Sequence, residues 1–351
     1  MSNTNLPYSP EFVTTEKFHV RLGEVVDYAS DPVAGLFGPE SMMWRLARHS
    51  AFFLGGWRAA LLELAHPWVA NAVDQHSLTR EDPIGRFHRT FRNVFTIVFG
   101  SIDRVSRSAQ ILHAVHSGAK GSLSECTGPF AKGSPYTANE VHALLWVHAT
   151  LVDTMVLLYE LIISPLSSDE KASFYEESKC FAYVFGIPET QLPPTWDASV
   201  DYNERMWQSD ILTVGTVGRK LGRFLFQSQA MPLSCLLMPE VEIFTAELMP
   251  PRLRNAFGLP PPSKYNQRRF ERSVKKIKFL YPLLPPRLRY APSYWEAIDR
   301  LHGRSRTSPG TRLLSRLWLE QPELVFHTFP VTLAPSPHST RKKGESQCKL
   351  A

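Results

Sequence analysis

The sequence predicts an all-α fold, a single large helical domain, and three observations lead there. Apolar residues recur at helical rather than alternating spacing for about two hundred residues after Gly38-Pro39. Capping residues and Gly or Pro stops punctuate that pattern at helix-length intervals. Few stretches alternate with period two, as a half-buried strand would. At 351 residues and 43% apolar content, the chain is long enough to bury a substantial core.

Taken in order, residues 1–38 read as an irregular lead-in. Ser41 to Leu54 and Trp57 to Asp74 read as two helices parted by Gly55-Gly56, with Pro67 a kink or break in the second. Asp82-Pro83 resembles an N-cap with proline at the first helical position, opening a helix that runs past Arg86, Thr90 and Val94 toward Gly100. Ser101 to Ser117 is the next helix, stopped by Gly118 and Gly121, and Gly121 to Pro135 is a glycine-rich loop without periodicity. Capping residues from Thr137 to Glu140 precede a long apolar helix, Val141 to Ile163. The run Ser167-Ser168-Asp169-Glu170 then starts a helix ending at Gly186. Beyond Pro193-Pro194 lie helical stretches at Tyr202 to Met206 and Ile211 to Phe226. From Pro250 proline density rises, so residues 261–330 read as a basic, Pro-rich extension packed on the domain and 331–351 as a disordered tail.

The net charge of +6 and pI near 9.1 do not by themselves indicate nucleic acid, because Lys and Arg are spread along the chain and gather mainly after Pro250. Cys126, Cys180, Cys235 and Cys348 lie far apart without a CxxC pair, which suits free thiols in a reducing compartment. The polar stretch Met1 to Lys17 lacks the apolar core of a signal peptide, and Ala51 to Ala72 carries Arg58, Glu63 and His66, unlike a membrane span. The expectation is an intracellular protein, cytoplasmic or resting on a membrane. The basic segment Lys264 to Lys278 suits an anionic membrane surface as well as a solvated helix face.

No dinucleotide fingerprint, Walker loop, nucleophile elbow or HExxH motif is present, which sets those enzyme classes aside. Histidines are the remaining signal: His66, His76, His88, His113, His116, His142 and His148 fall between Leu64 and Ala149. His113 and His116 lie three apart, roughly on one helix face, and His148 is on the next long helix. A hydrogen-bonded core histidine is the plainer reading of any one of them. His116, in the last turn of its helix beside Ala114 and Gly118, has room nearby for a bulky planar ligand, and imidazole is a usual ligand of haem iron. Arg86, Arg89 and Thr90 share one face of the preceding helix and would supply cations and a hydroxyl; their plainer reading is a solvated basic face. A rival metal reading rests on Glu63 and His66, the Glu-x-x-His element of di-iron bundles, of which only one copy is found.

Ordered motifs along the chain resemble a known family. They are Trp57-Arg58 through Glu63 to His66-Pro67; Asp82-Pro83 with Arg86 and Arg89-Thr90; Val98-Phe99-Gly100; Val115-His116 with Gly118; Leu144 to Thr150 with Trp146 and His148; Gly186-Ile187-Pro188; Leu192-Pro193; and Leu248 to Arg254. Together, over roughly residues 42 to 260, they resemble the MpaB-type and rubber-oxygenase (latex clearing protein) catalytic domain. The resemblance implies a globin-like core holding haem b and oxygenase chemistry on a lipophilic unsaturated small molecule, with dioxygen as co-substrate. Residues 39–260 would then be the catalytic domain. By position His116 matches the proximal iron ligand, with His113 and His148 as lesser cofactor-binding candidates, and Arg86 and Thr90 match paired distal residues. Arg89 stands where rubber-cleaving members have lysine, which keeps the charge but not the compact ammonium. Rubber-cleaving members are secreted and MpaB-type members begin with a membrane span. The polar start seen here therefore points to a prenylated or polyketide intermediate of secondary metabolism rather than an extracellular polymer.

Overall fold

The longest helix among the described residues, Val141–Ile162, is predominantly apolar, and fifteen of its 22 residues are buried. A computed structural model describes residues 9–77, 83–227 and 234–326, and the other helices assemble around this one. In chain order the described α-helices are α1 Thr15–Tyr28, α2 Met42–Ala47, α3 Gly56–Leu64, α4 Pro67–His76, α5 Pro83–Phe99, α6 Ile102–Gly118, α7 Val141–Ile162, α8 Ser168–Val184, α9 Trp196–Gln208, α10 Thr216–Gln227, α11 Ser234–Leu248, α12 Pro251–Phe257, α13 Lys264–Leu280, α14 Pro286–Arg289, α15 Pro292–Leu301 and α16 Pro309–Leu319. Among the described residues the sheet content is one antiparallel pair, β1 Lys120–Ser122 with β2 Pro135–Thr137. The all-α class is therefore correct.

Helices α2, α3, α8, α9 and α13 all lie against α7. So does a 3₁₀ turn at Ser50–Gly55. Its Gly55 is required for that approach: a Cβ there would stand 2.5 Å from Leu158 Cδ1 and 2.6 Å from Thr154 Cγ2. Among the described residues α7 alone is long and apolar enough to cross a membrane, and most of it is covered by protein.

Several sequence expectations need correction. The lead-in is not irregular throughout. Thr14 caps α1 by accepting from the Lys17 amide, and Phe18, Leu22 and Val25 bury one stripe of it among α6 and α8. The helix begun at Ser41 stops at Ala47, and the chain continues into the 3₁₀ turn. At Pro67 the expected interruption is a break rather than a kink: α3 ends at Leu64, and Pro67 is the first residue of α4, where its missing amide hydrogen costs nothing, with His66 the N-cap. The loop 121–135 is flanked by the small sheet rather than featureless. The stretch Tyr202 to Met206 belongs to a longer helix starting at Trp196, and α10 begins at Thr216 rather than Ile211. Cys180, buried on α8, is disulfide-bonded, so four free thiols were not the right reading; sequence distance says nothing about proximity in the fold. The cysteine argument for a reducing compartment falls with it. Asp82 and the tail 331–351 lie outside the described residues.

The C-terminal helices are knitted into the main core, which includes Val274, Tyr281, Ala297 and Val325. Glu296 of α15 is fully buried and accepts from the amides of Leu324 (2.6 Å) and Val325 (2.8 Å) and from the Ser315 hydroxyl. Arg300, one turn on, donates to the carbonyls of Val33 (3.0 Å), Phe99 (2.7 Å) and Val325. Removing the carboxylate would leave three buried donors without an acceptor. Glu296→Ala is therefore expected to lower the unfolding free energy by about 3 kcal/mol. A urea titration checks this as a shifted midpoint at unchanged slope, and a loss below about 1 kcal/mol would contradict it.

Candidate functional site

Arg86, Arg89 and Thr90 are all on α5, and His113 and His116 on α6, as the spacing requires. The two helices join through Gly100 and Ser101 and pack side by side. In such a hairpin, residues equally far from the turn lie level. At about 1.5 Å per residue, Thr90 is roughly 14 Å and His113 roughly 17 Å from the turn. The open end of the hairpin thus sets Arg89 and Thr90 beside the level of His113, with His116 one turn further out. Phe91, Phe95 and Val98 bury the core stripe of α5, while Arg89 and Thr90 are half-buried. The side chain of Arg86 lies outside the described ones.

The two α6 histidines differ sharply. His116 is half-buried in the last turn. His113 is buried, and its ring stacks on Phe18 of α1 with centroids 4.1 Å apart and planes 4° from parallel. Its carbonyl accepts from Ser117 Oγ at 2.8 Å and from Asn139 Nδ2 at 3.5 Å. Its Nε2 is buried without a hydrogen-bond partner. Burial, aided by nearby His19, lowers its pKa, which keeps the imidazole neutral and its lone pair available.

His148 and His66 lie elsewhere. Nε2 of His148, on α7, donates to the Ser178 carbonyl at 2.9 Å, and burial pulls its pKa down to about 4; it serves as a core tie. His66 Nδ1 accepts from the Trp68 amide at 3.3 Å, capping α4, which leaves the ring hydrogen on Nε2. That Nε2 is buried, without a partner, among Trp68 and Phe130, and burial lowers the pKa to about 3. Arg58 is bound to Asp153 (2.7 Å), Thr154 Oγ1 (2.6 Å) and the Leu248 carbonyl (2.9 Å), tying α3 to α7 and α11. Glu63 is half-buried on α3. Among the described residues no three His, Cys, Asp or Glu side chains gather into a metal-binding cluster.

Sequence reasoning missed Glu140, reading it as one capping residue among several. It is the N-cap of α7, fully buried, accepting from the Ala143 amide at 2.7 Å. Its Oε1 is buried without a partner, and burial pushes the carboxyl up to about 7. The neighbouring Asn139 bonds Ser117 Oγ at 2.9 Å and reaches the His113 carbonyl, so Glu140 stands next to the α6 terminus. An acidic residue directly before a long, predominantly apolar helix was the available signal.

Fold and site together define an all-helical protein whose interior holds neutral imidazoles and a carboxyl poised near neutrality. The chain matches the family described as ER-bound oxygenase mpaB/B'/rubber oxygenase, catalytic domain, over residues 44–279, and belongs to that family. Membership points to an oxygenase, hence an oxidoreductase. No curated protein and no solved structure gives a significant match.

The buried histidines predict an acid limit. His66 falls to about 3, and His49 and His148 to about 4, from 6.5. Below about pH 6.5 the unfolded chain takes up protons that the folded chain refuses, so stability drops as pH falls. Glu140 acts oppositely. Its folded value of about 7, against 4.5, makes the folded state bind a proton in between, so its contribution is lost as pH rises through that window. These three histidines set against Glu140 contribute a loss of roughly 2.5 kcal/mol in unfolding free energy from pH 6 to pH 5. Urea unfolding across that range checks it. Glu140→Gln should steepen the slope, and a flat profile would rule the account out.

Proposed function

We propose that this chain is a haem b-dependent oxygenase acting on a lipophilic unsaturated small molecule of isoprenoid or polyketide type, with oxidative cleavage of a carbon–carbon double bond. The observation that carries the reading is the buried, neutral His113 with its unpartnered Nε2, level with Arg89 and Thr90 across the α5–α6 hairpin. A neutral imidazole with an open nitrogen among apolar walls fits haem iron in kind, and guanidinium and hydroxyl groups fit propionates or bound oxygen. His113 is better placed than His116 to be the iron ligand, since only the former presents a buried, unpartnered nitrogen. When bound, haem would supply the binding and activation of dioxygen.

The protein's own contribution is orientation and exclusion of water. Phe18 fixes the His113 ring by stacking. Asn139 and Ser117 hold the end of α6. Arg89, Thr90 and, by helical spacing, Arg86 would polarise charge developing on the oxygen side. The di-iron alternative has less support: His66 uses Nδ1 for its cap, and no carboxylate–histidine cluster forms among the described residues.

Absorbance during haem titration tests this. A Soret band is expected for wild type and for His116→Ala, and its loss in His113→Ala, with partial return on adding free imidazole. Circular dichroism verifies that the variant folds. Loss in His116→Ala alone moves the ligand to that residue. No band in any of them overturns the haem reading, and tightly bound iron without a band favours the di-iron alternative.

A further inference from the structure

α13 carries seven basic residues against one acidic residue, as much net positive charge as the whole chain. The rest of the protein is therefore neutral in sum, and the charge is a local feature. One stripe of the helix, Phe270, Val274 and Ile277, packs toward α11 and α7 and continues into buried Tyr281. The opposite arc presents Arg268, Arg272, Lys275 and Lys276 to solvent.

At the end of that basic arc the surface turns apolar. Phe279 is 72% exposed, Leu280 55% and Leu283 69%, with Leu288 beyond. Large side chains grouped in this way mark an interaction site rather than ordinary surface scatter. The tip is not a frayed end. The Tyr281 hydroxyl is held by His49 Nδ1 at 3.1 Å and by the Arg289 carbonyl at 2.5 Å, and Ser50 Oγ bonds the Leu288 carbonyl at 2.8 Å. The core thus presents these side chains outward in a fixed arrangement.

The chemistry selects the partner. Basic groups beside exposed Phe and Leu match a bilayer interface, where phosphates meet Lys and Arg while apolar side chains enter the acyl boundary. Nucleic acid would use the charge but gains nothing from leucines that do not stack. A second copy pairing through the same face would set lysines against lysines. We infer that α13 and the turn after it, residues 264–288, dock this protein peripherally on an anionic phospholipid bilayer. The inference does not depend on the haem reading, and its test measures lipid binding rather than turnover.

Flotation with vesicles of phosphatidylcholine, with and without phosphatidylserine, tests it on the full chain. Binding is expected only with the anionic lipid and should weaken as salt rises. Replacing Lys275 and Lys276 together by Gln should weaken partitioning roughly 25-fold, about fivefold per charge. Phe279→Ser with Leu283→Ser should abolish it while circular dichroism stays unchanged, since both side chains are exposed. Equal binding to neutral vesicles, or binding indifferent to both double variants, overturns the inference. So does a lipid-free dimer that Phe279→Ser dissolves, or tighter binding to single-stranded RNA than to anionic vesicles.

Discussion

The Arg300 guanidinium bonds three backbone carbonyls from widely separated parts of the chain, Val33, Phe99 and Val325, and the arrangement of the candidate site depends on it. Phe99 is the last residue of α5, where unsatisfied carbonyls concentrate and the helix dipole is negative, so a cation there is doubly favourable. Burial pulls the Arg300 pKa down only to about 10, which leaves it charged under ordinary conditions. Trp44 Nε1 adds a bond to the Val98 carbonyl at 2.8 Å, and Arg104 bonds the Leu324 carbonyl at 2.8 Å. The turn end of the α5–α6 hairpin is thereby fixed. The candidate side chains lie at the other, open end.

Two of the buried side-chain nitrogens without partners, on His66 and His113, differ in what accounts for them. A polar atom left unpaired in the interior costs about 1–3 kcal/mol, so each one calls for a reason. His66 has a structural one: its Nδ1 caps α4, and the second nitrogen is left behind by that commitment. His113 has no comparable duty. Its ring is held by stacking, and the bonds from Ser117 and Asn139 go to its backbone carbonyl, so its Nε2 is buried without a partner among the described residues.

Much of the helical framework was legible because caps act locally. Ser41 and the Ser167–Glu170 box cap and begin α2 and α8 where the pattern put them. What was not legible depends on partners distant in sequence. Between His113 and His116, periodicity does not choose, for both lie on one helix at a spacing of three. What distinguishes the two is Phe18, brought in by a helix within a segment that reads as irregular: it stacks on His113, while His116 is half-buried. Glu140 and Cys180 were hidden for the same reason, since burial and pairing belong to the assembled fold.

The family match over residues 44–279 takes in the helices that carry the candidate site, α5 and α6, together with Trp44, Ser117 and Asn139, but leaves out other residues that hold them. Phe18 stacks on His113 from before the matched range. Glu296 and Arg300 lock the far end of the hairpin from beyond it. Removal of the outer segments would therefore leave every candidate ligand in place along the chain while freeing the histidine ring and the α5 terminus to move. Oxygenase chemistry at a metal is sensitive to ligand orientation, because the groups around it must be preorganised where charge develops. Under the proposed reading, part of that preorganisation would come from the flanking segments, and the apolar tip of α13, at the edge of the match, is pinned to the same core through Tyr281.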